Sequence, residues 1–215
     1  HHGGDYFEDF NDGLAQGWRP RWAADWAVVN GEYRAAAGTN GAIMQATYTN
    51  VVWRDLIAEA AIRRTGGTNS SSVLALRASP GFTWLGSTNL GLGSAYLVGI
   101  NAAGDYYVGY FNNSAPFVFI QGWTRSSYLN TDTTANVVRV TLSGASIQVS
   151  FNGQLAFSRT DATIPGEGRF ALMGYSGDGG TVETVHFFDN ITVTDTSTGT
   201  AAAGAKASGT GGILT

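Results

Sequence analysis

The side chains that could do chemistry in this 215-residue chain are sixteen carboxylates, three histidines and a large set of aromatics. Glycoside hydrolysis usually needs two carboxylates about 5–10 Å apart. Glu8, Asp9 and Asp12 do cluster, but at a chain start and a turn, where Asp favours the turn itself. Glu59 stands alone in its stretch, and Glu183 and Asp189 lie six residues apart. A nucleophilic triad needs a base, usually histidine. The histidines are His1, His2 and His186, and no Gly-x-Ser-x-Gly elbow occurs. His186 is expected to face solvent or to pack at a sheet edge. A copper site joining the amino-terminal His1 to His186 is an alternative, but a tag or cleavage remnant accounts for His1-His2 more simply. No catalytic set emerges, so the chain is expected not to be an enzyme.

The aromatics offer a different chemistry. A sugar's apolar C–H face stacks on Trp or Tyr, while Asn, Gln, Asp and Arg bond its hydroxyls. Trp84 lies in a long loop, Trp123 ends a strand, and Tyr107 and Tyr110 belong to a central hairpin. These four are the candidate carbohydrate-binding residues. Trp18, Trp22 and Trp26 look like packing aromatics near the first strands.

The elements that must position these residues are strands. Asn136 to Val193 alternates apolar with polar residues, and glycine-bearing turns separate the runs. Val138, Val140 and Leu142 should point inward, as should Ile147, Val149 and Phe151 across the turn, with Phe170 and Leu172 continuing that face. The adjacent Phe187 and Phe188 require a bulge or burial on both faces. Earlier, Tyr6 to Phe10 reads as a strand. Trp26 to Val29 and Glu32 to Ala35 flank an Asn30-Gly31 turn suited to a hairpin. Leu56 to Arg63 is read as strand although alanine favours helix. Val73 to Arg77, Ala95 to Asn101, Asp105 to Phe111 and Phe117 to Trp123 follow, with a long loop over Ser79 to Ser94. Short strands at this spacing imply one β-sandwich or jelly roll over residues 1–195, not a parallel α/β fold. Residues 196–215 form a Gly/Ala/Thr-rich tail, expected to dock on the same or a neighbouring chain.

Bulk numbers narrow the function. At 43% hydrophobic and 12% aromatic the chain can bury a sizeable core. A net charge of -4 argues against nucleic acid, and no apolar run is long enough for a membrane helix. With Lys206 the only lysine, a basic membrane-surface patch is also unsupported. Cysteine is absent, which removes disulfides and thiolate metal sites. Asn69, Asn112 and Asn190 sit in Asn-x-Ser/Thr sequons. The first residue is not Met, and a removed signal peptide is one explanation.

FEDFNDGLAQGW, WAVVNGEYRA, IQVSFNGQLAF, GRFALMGY and VHFFDNITV occur in that order. Together they resemble the concanavalin A-like, laminin G-like jelly rolls of secreted bacterial proteins, over Asp5 to Thr194. The resemblance implies two stacked, curved antiparallel sheets with the first and last strands close together. It implies no single function, because the fold hosts lectins, carbohydrate-binding modules, glycosidases and structural domains. Catalytic members can carry their acids on one strand as Glu-x-Asp-x-x-Glu, which this chain lacks. Related jelly rolls often hold a structural calcium where the first strand meets the last, which here would draw on Asp9, Asp12 and Asp189.

The resulting expectation is a secreted, non-catalytic, lectin-like β-sandwich at the cell surface or outside the cell. Its partner would be a polysaccharide or surface glycan, with no nucleic acid and no membrane insertion. The alternative is a structural subunit of an extracellular filament or surface layer that self-assembles through its tail.

Overall fold

The computed structural model describes residues 3–36, 43–86, 89–176 and 183–197. The tail beyond Ser197 lies outside the described residues, as do His1 and His2. The described strands, in chain order, are β1 (Tyr6–Glu8), β2 (Trp18–Pro20), β3 (Trp26–Val29), β4 (Glu32–Ala35), β5 (Ile43–Trp53), β6 (Leu56–Thr65), β7 (Ser72–Ala78), β8 (Thr83–Trp84) and β9 (Gly91–Leu92). Then come β10 (Ala95–Ile100), β11 (Asp105–Phe111), β12 (Val118–Arg125), β13 (Asn136–Ser143), β14 (Ser146–Phe151), β15 (Gln154–Thr160), β16 (Gly168–Tyr175) and β17 (Val185–Asp195). The first sheet runs β15-β14-β13-β6-β17-β4-β3, with β1 also on β17, and the second runs β12-β11-β10-β7-β16-β5-β2. All pairings are antiparallel, and β8–β9 forms a separate two-stranded ribbon. The first strand lies against the last, Tyr6 opposite Val193.

The core between the sheets is built as the alternation dictates. Val138, Val140, Leu142, Ile147, Val149, Phe151, Phe170 and Leu172 are all buried in it. β6 alternates strictly between buried and half-buried residues, so its alanines sit in a strand despite their helical preference. β6 lies between β13 and β17, where packing outweighs local propensity. Asn30 and Gly31 both take positive φ, at 51° and 74°, as a two-residue hairpin turn between β3 and β4 requires.

Three expectations need correcting. β1 stops at Glu8 rather than Phe10. Phe10 adopts a left-handed φ of 55°, which turns its ring into the core against Tyr33 at 5.1 Å. Trp18 and Trp26 are buried as expected, but Trp22 is exposed beside the Arg21 guanidinium. His186 is not at a surface. It is fully buried between the sheets, its Nδ1 2.7 Å from Ser72 Oγ on β7 and its Nε2 2.6 Å from the Tyr175 carbonyl on β16.

The adjacent phenylalanines of β17 serve opposite faces. Phe188 packs inward on Trp26, while Phe187 lies outside under the Arg63 guanidinium at 3.8 Å. β17 does carry a bulge, but between Asp189 and Thr192, with Asn190 at φ 48°.

Candidate functional site

The face of the second sheet turned away from the first decides where chemistry can sit. β7 and β10 are buried along their whole length, on both sides. Their outward side chains Val73, Ala75, Ala95 and Leu97 form a second apolar layer with Tyr107, Phe111, Ala171 and Met173. Such a face cannot be left in water. The 79–94 loop covers it by laying Phe82 and Trp84 onto it. The loop is clamped at its base, where Ser79 N–H donates to the Ser94 carbonyl and Ser94 N–H donates to Ser79 Oγ. Buried Gln45 on β5 clamps its middle, donating to the Phe82 carbonyl at 2.7 Å and accepting from Trp84 N–H at 3.2 Å.

This cover decides the fate of the four candidate aromatics. Trp84 is only 5% exposed, enclosed by Phe111, Phe117 and Tyr175, so it cannot stack on a sugar. Tyr107 is 3% exposed in the same layer, and burial pushes its phenol pKa up. Tyr110, three residues along β11, faces the other way and packs on Tyr96 in the inter-sheet core. Trp123 alone of the four presents a ring to solvent. It is 47% exposed and stands edge-on to Tyr107 at 4.8 Å. Sequence reasoning missed Phe119, also on β12 and 50% exposed, which packs edge-on to Tyr107 and Phe117. The continuous apolar runs of β7 and β10 could have signalled a doubly covered sheet, and hence a buried loop aromatic.

Across the same face lies a cavity of about 200 Å³. Arg19, Arg21 and Arg169 line it together with Gln45, Thr47 and Thr49, and the loop residues Ser79, Gly81, Phe82 and Thr83 form one wall.

The carboxylates proposed for a metal do other work. Asp9 accepts from Asn11 N–H, Asp12 from Leu14 N–H and Gln16, and Asp189 from Asn190 N–H. Burial raises the Asp189 pKa, with the charges of Glu32 and Asp9 adding to it. Among the described residues no three His, Asp or Glu side chains gather as a metal site. Asp9, Asp12 and Asp189 each direct a carboxylate oxygen to backbone N–H within their own turns. Glu59 is held by Arg139 on the neighbouring strand β13, and Glu32 on β4 is held by Arg63 on β6, reaching over β17.

The sequence matches no family model and no curated protein. Solved structures do match. A carbohydrate binding module from Bacillus subtilis aligns with a TM-score of 0.62 at 15% identity, over 83% of this chain and 96% of that one. A beta-glucanase from Bacillus licheniformis aligns with a TM-score of 0.64 at 13% identity, over 90% of this chain and 99% of that one. A transglycosylase solved in complex with NAG aligns with a TM-score of 0.63 at 12% identity, over 90% and 84%. The fold is a concanavalin A-like jelly roll. At such identities the likeness establishes the fold alone.

The comparison corrects the expectation that the chain is not an enzyme. The similar structures are mostly glycoside hydrolases and transglycosylases, so the scaffold is one that carries catalysis as well as binding.

Proposed function

We propose that this jelly roll is an extracellular glycan-binding protein, with Trp123 as its stacking platform. One observation carries the reading. Trp123 is a large aromatic ring held rigid against buried Tyr107, yet almost half open to solvent. A ring fixed in this way loses little side-chain entropy when a sugar stacks on it. The carbohydrate binding module among the similar structures supports the same reading.

The test uses the full chain on a glycan array, followed by calorimetry with the best ligand. Trp123→Ala is expected to weaken binding by about thirtyfold, or roughly 2 kcal/mol, as for other aromatic hot spots. The melting temperature should hardly move, because the ring is at the surface. Saturable binding that Trp123→Ala leaves intact, or no binding to any glycan, sinks the reading.

A second reading has its own observation. β12 is the last strand of its sheet, none of its residues is buried, and Val118 and Phe119 are exposed along it. An open apolar edge is a template for a strand from another molecule. On this reading the protein is a building block of an extracellular assembly. Sedimentation at rising concentration should then show oligomers that Phe119→Lys dissolves. A monomer at every concentration removes this reading.

A further inference from the structure

The arginine-lined cavity differs in chemistry from the aromatic edge. Arg19 on β2, Arg21 just beyond it and Arg169 on β16 share one cavity, and among the described residues its lining holds no carboxylate. Elsewhere in this net-negative chain, Arg63, Arg77, Arg125 and Arg139 each face a carboxylate. None of the ion pairs among the described residues involves the three cavity arginines. Like charges gathered without a counter-charge repel one another, so an anion placed between them is stabilised.

The site is also built rather than incidental. Arg21 is anchored, its Nη1 donating to the Trp84 carbonyl at 3.1 Å and its guanidinium 5.2 Å from the Trp22 ring centre. The buried Gln45 that clamps the loop forms part of the lining, so the wall and the floor are joined. Guanidinium groups match the planar or tetrahedral oxygens of carboxylates and sulfates. Thr47 and Thr49 add hydroxyls suited to a sugar's own. At about 200 Å³ the space is smaller than pockets for drug-sized ligands, roughly 300–1,000 Å³, and suits a single ring or its acid group.

We propose that this cavity binds the acid group of a charged sugar, a uronate carboxylate or a sulfate ester, so that the protein selects acidic polysaccharides. The inference rests on the glycan-binding reading and adds the class of glycan. From β12 to β16 is four strand steps, about 19 Å at roughly 4.8 Å each, so only a polymer can touch both Trp123 and the cavity.

The experiment measures binding of the full chain to polygalacturonate, heparin and neutral dextran, alongside the best neutral ligand from the array. The Arg19→Ala/Arg169→Ala variant is compared with the parent. Both side chains reach solvent, so the melting temperature serves as the folding control. Expected is binding to polygalacturonate or heparin that the double variant weakens at least about tenfold, the effect of one lost charge-assisted hydrogen bond. Neutral-glycan binding and melting temperature should stay unchanged. Which polymer binds decides between carboxylate and sulfate. An unchanged affinity for both acidic polymers overturns the inference while leaving the glycan reading intact. So does equal competition by RNA, which marks a generic polyanion surface, or by inorganic sulfate at matched anion concentration, which marks a free-anion site. No binding to any glycan removes both readings together.

Discussion

Replacing Arg77 with alanine is expected to lower the unfolding free energy by roughly 3–5 kcal/mol. The Arg77 side chain is only 1% exposed, and burial pulls its pKa below the usual guanidinium range. It survives there because its donors are matched. Nε donates to the Arg54 carbonyl at 2.8 Å, Nη1 to the Ile164 carbonyl at 2.8 Å, and Nη2 to the Gly144 carbonyl at 2.9 Å. Nη2 also faces Asp55 Oδ1 at 3.4 Å, and that same oxygen accepts Gly144 N–H at 2.8 Å. One side chain at the end of β7 therefore ties together the β5–β6 turn, the β13–β14 turn and the loop before β16. Alanine removes the donors and leaves three carbonyls short of partners, each at the cost of a lost hydrogen bond. Alanine also gains nothing from the backbone, since position 77 sits at a left-handed φ of 51°. At roughly 2–4 °C per kcal/mol for a chain of this size, the melting temperature should fall by about 10 °C. Arg54→Ala, whose side chain is mostly exposed and 4.0 Å from Asp55, should change it little. Denaturant unfolding of both variants is the measurement. A loss under 1 kcal/mol for Arg77→Ala contradicts the role given to this residue.

Acid should weaken the fold through His186, beginning above the range where carboxylates titrate. Burial pushes its pKa down to about 3, and nearby Arg64 adds to the effect against the opposing hydrogen bond to Tyr175. The neutral ring satisfies its site by donating Nε2–H to the Tyr175 carbonyl and accepting the Ser72 hydroxyl at Nδ1. The ring also fills the space beside Gly174, where a Cβ would strike it. In the unfolded chain histidine titrates near 6.5. Below about pH 6.5 the unfolded state therefore takes up a proton that the folded state refuses until about pH 3. Stability is complete above that window and falls as pH drops through it, by about 1.4 kcal/mol per unit. At pH 5 the loss should reach roughly 2 kcal/mol. His186→Gln keeps a donor and an acceptor without the titration. Its absolute stability should be lower, but the slope of unfolding free energy between pH 7 and 5 should flatten. A parent protein with equal stability at pH 7 and pH 5 would falsify this account.

The alternation in β13, β14 and β16 and the Asn30-Gly31 turn were legible because each is local. A strand with one wet face writes its period into the residues, and a turn needing positive φ selects Asn-Gly. His186 was misplaced for a related reason. Its neighbours in sequence suit a sheet edge, and only the pairing of β17 with β6 and β4, beneath β7 and β16, puts it inside. Trp84 was misplaced because a loop aromatic is exposed or buried according to what lies under it. That depends on strands β7, β10 and β16, whose order in the sheet no local pattern records.

The sequence by itself determined an all-β jelly roll, its inward faces and its aromatic wealth, since these follow from periodicity and composition. Only the tertiary structure decided which aromatics remain free and which arginines meet. Arg19, Arg21 and Arg169 are up to 150 residues apart in the chain and carry no spacing signal. They share a cavity because β2 and β16 both pair with β5. Of the four aromatics that could stack on a sugar, the apolar face of the second sheet took Trp84 and Tyr107, the inter-sheet core took Tyr110, and Trp123 was left to the solvent.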